Sequence, residues 1–263
     1  MKVLLTGATG FVGRVIVRQL LAAGDEVVVL TRHVPGAALV LGSSCKFYQW
    51  RNLSEAPPAE AFAGVHAVIN LAGEGIADKP WTAQRKRELH DSRIALTEEL
   101  VEWLRRAKKK PRVLISGSAI GWYGNQGDKV LEEGALPHVE YVHELCRDWE
   151  QAAAAAEAHG LRVCLLRTGV VIGAGGGMLR KLLPLFGLGI AGAIHVADAL
   201  EHGRLEGLAG HHVEVDATQH LVGAETLAQT LHLQGGGGCA HGVPPPLRKN
   251  DCSSPGNSGI SFA

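Results

Sequence analysis

Short apolar runs alternate with stretches of helical apolar spacing from the start of the chain to about residue 168. Val3 to Thr6 is a brief run of strand type. From Phe11 to Ala23 apolar residues recur at Val12, Val15, Ile16 and Leu20, which is the spacing of one helix face, and Gly24 ends the pattern. Glu26 to Thr31 (EVVVLT) is rich in β-branched residues and reads as a second strand. Lys46 to Gln49 is a candidate third strand, after a stretch with Pro35, Gly36 and Gly42 that reads as a loop or a short helix. His66 to Leu71 is a further strand. Thr82 is placed to cap one long amphipathic helix running to about Ala107. Its far end carries Arg105, Arg106 and Lys108 to Lys110, cations suited to a helix C-terminus. Arg112 to Ser116 is a strand, Tyr141 to His159 an alanine-rich helix, and Leu161 to Thr168 another strand. Strands separated by helices predict βαβ units, and hence an α/β fold with a doubly wound parallel sheet.

Beyond about residue 190 this order is lost. Leu200 to Gly223 mixes apolar fragments with His and Gly at no steady period, and Ala224 to Leu233 reads as one short helix. From Gly235 the composition (Gly235 to Gly238, Pro244 to Pro246, Ser253-Ser254-Pro255-Gly256) is too poor in apolar residues to offset backbone ordering, so residues 235–263 are expected to be disordered. The 263 residues carry 26 Lys plus Arg and 26 Asp plus Glu, a zero formal charge that argues against a nucleic-acid partner. No apolar run is long enough for a transmembrane helix. The N-terminus enters a strand-like run at once, which leaves no room for a targeting segment and points to the cytoplasm. Five cysteines without a CxxC pair read as reduced thiols. Seven histidines lie at 195 and beyond, but no HxxxH or HExxH spacing appears, so no metal site is expected.

Candidate chemistry begins at Thr6-Gly7-Ala8-Thr9-Gly10-Phe11-Val12-Gly13, between the first strand and the first helix. That is the context in which a glycine triad cradles a dinucleotide. Gly7 permits the tight turn, Gly10 lets the backbone approach a pyrophosphate, and Gly13 allows close packing of helix on strand. The helix N-terminus offers free N–H groups and positive dipole to the anion. The second strand ends Leu30-Thr31-Arg32-His33, without the carboxylate that usually holds the adenosine ribose of NAD. Arg32 supplies instead a charged fork suited to a 2′-phosphate, so NADP is the expected cofactor.

The TGATGFVG start, Asn70-Leu71-Ala72-Gly73 after the fourth strand, and Arg167-Thr168-Gly169-Val170-Val171-Ile172-Gly173 after the sixth resemble the extended short-chain dehydrogenase/reductases. Trp81-Thr82, Arg85-Lys86, Ser92-Arg93, Ser116 to Gly124 (SGSAIGWYG) and Cys146-Arg147-Asp148-Trp149-Glu150 narrow this to one subgroup. It is the atypical, epimerase-like, NADP-binding subgroup of unestablished substrate, and the resemblance covers about residues 1–190. It implies a Rossmann-type fold over 1–189. It places Thr31 and Arg32 at the adenosine phosphate, and Leu71, Ala72 and Gly73 along the cofactor. Glu88 and Arg93 would face the cofactor groove, and Val170 would join the binding residues. Ser118 fits the position of the serine that polarises a substrate oxygen.

The Tyr-x-x-x-Lys pair of typical members is missing. Tyr141 is followed four residues later by Leu145, and alignment on Glu150 puts Val142 and Cys146 at the pair's positions. A shift of one residue offers His143 and Arg147 at helical spacing. Tyr123 is the remaining acid candidate, and Cys146 reads as a small buried hydrophobe. Relatives would continue into a substrate lobe, of which only Ile194-His195-Val196 hints here, so residues 190–234 are expected to form an irregular or incomplete lobe. The leading reading is an NADP-dependent oxidoreductase or epimerase-like enzyme acting on a small carbonyl or sugar-like molecule. The rivals are a non-catalytic NADP-binding sensor or regulator and a truncated nonfunctional isoform.

Overall fold

A computed structural model of the chain describes residues 1–173, 176–177 and 221–223. Six strands form one parallel sheet: β1 (Lys2–Thr6), β2 (Glu26–Thr31), β3 (Lys46–Gln49), β4 (Ala67–Asn70), β5 (Val113–Ala119) and β6 (Arg162–Thr168), in the order β3-β2-β1-β4-β5-β6. Parallel strands need crossover connections, and helices supply most of them: α1 (Phe11–Ala22), α2 (Val34–Leu41), α3 (Ala83–Asp91), α4 (Ile94–Arg106) and α5 (Tyr141–Ala154), while β3 returns to β4 through a 3₁₀ turn at Ala59–Phe62. This is the doubly wound sheet that the alternation of patterns predicts.

Both faces of such a sheet are buried, so its strands read as continuous apolar runs. Alternate residues feed two separate cores. Leu5, Val27, Val29, Ile69 and Ile115 pack with Ile16, Val17 and Leu20 of α1 on one face. Leu4, Val28, Val68 and Leu114 pack with Leu100, Val101 and Leu104 of α4 and Ala153 of α5 on the other. Each fully buried Leu or Ile contributes about 1.5–3 kcal/mol relative to exposure.

Three elements depart from the sequence pattern. The single helix expected from Thr82 to about Ala107 is two helices, broken at Ser92-Arg93. Neither Gly nor Pro marks the break. The side chains do: Ser92 Oγ donates to the Leu89 carbonyl at 3.1 Å and Arg93 Nη1 donates to the same carbonyl at 3.2 Å, taking up an acceptor of the last turn of α3. The alanine-rich helix ends at Ala154 and tightens into a 3₁₀ turn, Ala155–His159, before left-handed Gly160. After the sheet, β7 (Val170–Gly173) pairs in parallel with β8 (Leu221–Gly223), an element in a stretch without sequence periodicity. Apart from β8, the expected altered lobe over 190–234 and the expected tail over 235–263 lie outside the described residues.

Candidate functional site

Going out from β1, the chain runs through β2 and β3 on one side and β4 to β6 on the other. The two directions part at the C-terminal ends of β1 and β4, the switch point at which open α/β sheets bind ligands. A cleft of about 460 Å³ opens there. Gly7, Thr9 and Gly10 form its floor, Thr31 and Arg32 one wall, and the Leu71–Glu74 loop the other.

Gly7 has φ +67°, and a Cβ on it would stand 2.8 Å from Ala72 N and closer still to the Leu71 carbonyl. Gly13, one turn into α1, would put a Cβ 2.8 Å from Ala8 Cα. These absences of side chains let α1 and the β4 loop close on the β1 turn. Gly10 is the N-cap of α1 and provides no side-chain cap, and the first turn contains no acidic residue. The N–H groups of that turn, at Phe11, Val12 and Gly13, are the free donors of a helix start. Phe11 turns its ring towards Gly177.

The β4 loop is pinned from behind by the break between α3 and α4. The Glu74 N–H donates to Ser92 Oγ at 3.1 Å, and Arg93 Nη2 donates to the Glu74 carbonyl at 2.8 Å. Arg93 is held against Gly73, where a Cβ would lie 3.1 Å from its Cζ. Burial lowers the guanidinium pKa from its ordinary value, though an arginine remains charged at any working pH. Arg93 therefore reaches the cleft through the loop backbone that it fixes. Glu88 lies on α3 away from the cleft lining, and its carboxylate accepts from Arg85 at 2.9 Å and from Gln84 at 3.3 Å. The Arg85 hydrogen bond is the main cause that lowers its pKa. Val170 stands in β7, opposite Leu221. A buried chain of polar groups ties the floor to the helices. Thr6 Oγ1 donates to Asn70 Oδ1 at 2.6 Å, Asn70 Nδ2 donates to Thr97 Oγ1 at 2.8 Å, and Trp149 Nε1 donates to the same Thr97 oxygen at 3.1 Å.

The candidate catalytic residues form a second cluster, at the ends of β5 and β6. Ser118 Oγ donates to Glu150 Oε1 at 2.6 Å. Arg167 grips the same carboxylate with both arms, Nε to Oε1 and Nη2 to Oε2, each at 2.8 Å. Its Nη1 donates to Tyr123 OH at 3.2 Å, and its guanidinium stacks 3.7 Å from the Trp122 ring centroid. The Glu150 hydrogen bond raises the Arg167 pKa above the ordinary arginine range. Val142 and Cys146, at the positions of the missing Tyr-x-x-x-Lys pair, both pack against Gly121. His143 and Arg147 do not make one site. His143 is buried with Nδ1 2.5 Å from the Trp122 carbonyl, which requires the proton on that nitrogen, whereas exposed Arg147 pairs with Asp148.

Residues 3–223 match the NAD dependent epimerase/dehydratase family. The chain belongs to that family. Among epimerase family proteins it is 37% identical over 188 residues to one of Mycobacterium bovis, covering 72% of this chain and 60% of the relative. It is 35% identical over 195 residues to the chloroplastic SDR39U1 homolog of Arabidopsis thaliana, covering 71% and 53%. The chain thus spans about three fifths or less of the length of these relatives. The human SDR39U1 structure with NADPH superposes with TM-score 0.62 at 23% identity, over 90% of this chain and 80% of that one. The nucleoside-diphosphate sugar epimerase of Corynebacterium glutamicum gives 0.61 at 27% identity, over 89% and 50%.

In this family member Glu74, Arg85, Ser92, Glu150 and Arg167 also build the sites, though no local pattern in the chain marks them for it. Each except Glu74 lies in a motif that carries the resemblance, but the contact that ties it to the site reaches a residue ten or more positions away. Cys146 is the small buried hydrophobe expected. Burial first, and the Glu150 carboxylate second, push its thiol up to about 11. An unfolded cysteine releases its proton near ~8.5. Stability linked to this group is therefore intact below that pH and is lost as pH rises towards 11. At pH 8, iodoacetamide followed by peptide mass mapping should label Cys146 about two orders of magnitude more slowly in the native protein than in urea, because the thiolate is the nucleophile. Equal rates would contradict the buried placement.

Proposed function

We propose that the cleft binds NADP(H), and that the protein acts as an oxidoreductase or epimerase-like enzyme on a small carbonyl or sugar-like molecule. The observation that carries this reading is Arg32 on the wall of a glycine-floored cleft at the switch point, at a strand end that itself supplies no carboxylate. A guanidinium fork there matches a 2′-phosphate, and the first-turn N–H groups of α1 match a pyrophosphate. The solved neighbour of the same fold from human carries NADPH. When bound, the nicotinamide would supply the hydride chemistry, and the chain's part is to bind it, orient it and polarise the reacting oxygen. Ser118 and Tyr123 are the candidates for that last role.

Arg32→Asp tests the cofactor assignment. The substitution removes the phosphate's partner and supplies a carboxylate of the kind that holds ribose hydroxyls, so NADPH affinity should fall at least tenfold while NADH affinity changes far less. Titration by NADPH fluorescence and calorimetry reads both. Equal losses for the two cofactors would remove Arg32 from the 2′-phosphate.

One observation favours a second reading, that of an NADP-holding sensor or regulator without turnover. The Ser118 hydroxyl is committed to Glu150, and apolar Val142 and Cys146 occupy the places of the usual proton donor and its lysine. Tight NADPH binding without oxidation by any of a panel of aldehydes, ketones and keto sugars would decide for this second reading.

A further inference from the structure

One donor of the Arg32 guanidinium is already engaged. Its Nη1 donates to Glu74 Oε1 at 3.2 Å. The two residues come from opposite walls of the cleft, Arg32 from the end of β2 and Glu74 from the loop after β4, with β1 and its glycine turn between them. Both are anchored through their backbones. Gln49 Nε2 donates to the Arg32 carbonyl at 3.0 Å, while Ser92 and Arg93 hold the Glu74 N–H and carbonyl. The side chains alone make the bridge, so they can part without moving the walls.

A second cation waits on the Glu74 side. Arg85 Nη1 lies 3.9 Å from Glu74 Oε2, and the Arg85 side chain is only 5% exposed. Arg85 Nη2 donates to the Gly75 carbonyl and Nη1 to Glu88, but its buried Nε has no hydrogen-bond partner among the described residues. A buried cation with a spare donor is a ready partner for a carboxylate.

We propose that Glu74 is an internal competitor for Arg32, set against the adenosine 2′-phosphate and released to Arg85 when that phosphate binds. The inference rests on the cofactor reading above. A phosphate dianion at Arg32 and the Glu74 carboxylate in its present place would repel each other, so only one of them holds the guanidinium. Exposed ion pairs are weak, and a dianion that accepts a bidentate fork displaces a single carboxylate contact. Glu74 therefore sets how tightly the phosphate is held and leaves its site intact. The carboxylate that the end of β2 lacks is thus brought to the same place from β4. There it lowers the preference for the phosphorylated cofactor.

Glu74→Gln tests this in the full chain. The side chain is at the surface and its backbone contacts survive, so the variant should melt with the wild type. Removing one exposed pair and one like charge beside a dianion should tighten NADPH binding about three- to tenfold, with NADH changed less than about twofold. Adenosine 2′,5′-bisphosphate against adenosine 5′-monophosphate should repeat the split without the nicotinamide half. Equal tightening of both cofactors would overturn the proposal, since Glu74 would then act on the cleft at large. Weaker NADPH binding would overturn it too, by making Glu74 a partner of the ligand. If Arg32→Asp abolishes the NADPH preference while Glu74→Gln leaves NADPH unchanged, the competitor role fails and the cofactor reading stands. If the wild type shows no NADPH preference, both fail.

Discussion

Gly7→Ala should cost the protein both NADPH binding and a large part of its stability. At φ +67° an alanine carries about 1–2 kcal/mol of backbone strain. Its Cβ would also stand 2.8 Å from Ala72 N, and the atoms it meets are backbone, which cannot rotate away. Relief requires the β1 turn and the β4 loop to separate, at about 1–3 kcal/mol more. The total, about 2–5 kcal/mol, is a large share of the ~5–15 kcal/mol that holds a typical domain. A thermal melt followed by circular dichroism should fall by roughly 5–15 °C, at about 2–4 °C per kcal/mol for a domain of this size. NADPH binding should be lost, because the parted walls are those of the cleft. Gly10→Ala is the control. Gly10 has φ −67°, which alanine adopts readily, and its Cβ would be 3.2 Å from the Gly7 carbonyl oxygen. Its stability should change by less than about 1 kcal/mol, while NADPH binding should still weaken through the methyl placed at the cradle. A Gly7→Ala protein that melts with the wild type and binds NADPH normally would remove the glycine from both roles.

The contrast between these two glycines shows which parts of the molecule could be read in the chain. The cradle is local: strand, turn and helix are consecutive, and a spacing of three glycines encodes it. Arg32 was legible for the same reason, as the residue that ends a recognisable strand. The six parallel strands were legible because burial on both faces leaves continuous apolar runs. What escaped is what the chain builds by joining distant residues. The break at Ser92-Arg93 leaves the apolar period almost unchanged, since Leu89 and Ile94 are both buried on either side of it. Its cause is a side-chain competition for the Leu89 carbonyl, and its use is to pin the Glu74 loop, and neither leaves a periodic trace. Glu74 itself looks like a solvated acid until β4 is set beside β1 and β1 beside β2. Glu88, expected to face the cofactor groove, instead stands with Arg85, which the spacing of three along α3 permits and which only the placement of α3 decides. Ser118 was legible as a position at the end of β5, but not as a donor to a carboxylate on α5.

That carboxylate supports the second large effect. Glu150 is 7% exposed and accepts three hydrogen bonds, two from Arg167 and one from Ser118. The Arg167 side chain is 20% exposed, so its charge is mostly removed from water and answered by one carboxylate among the described residues. Glu150→Ala would leave that cation unpaired and the serine hydroxyl without its acceptor, at about 3–5 kcal/mol. Glu150→Gln keeps the volume and one carbonyl acceptor, and should cost about 1–3 kcal/mol. The absolute losses do not show whether the pair itself stabilises the fold, because each single variant also strands its partner. Replacing both with methionine removes the stranded charge. If the pair is the unit, Glu150→Met with Arg167→Met should be destabilised by at least about 2 kcal/mol less than the two single losses added together. Urea midpoints at constant m-value measure the difference. Strict additivity would mean that Arg167 is held by Trp122 and the Glu133 carbonyl and not by Glu150. In that event the same grip could not be what fixes the guanidinium against the Tyr123 phenol. A positive coupling ties the candidate proton donor, the serine and the buried ion pair into one scaffold at the mouth of the sheet.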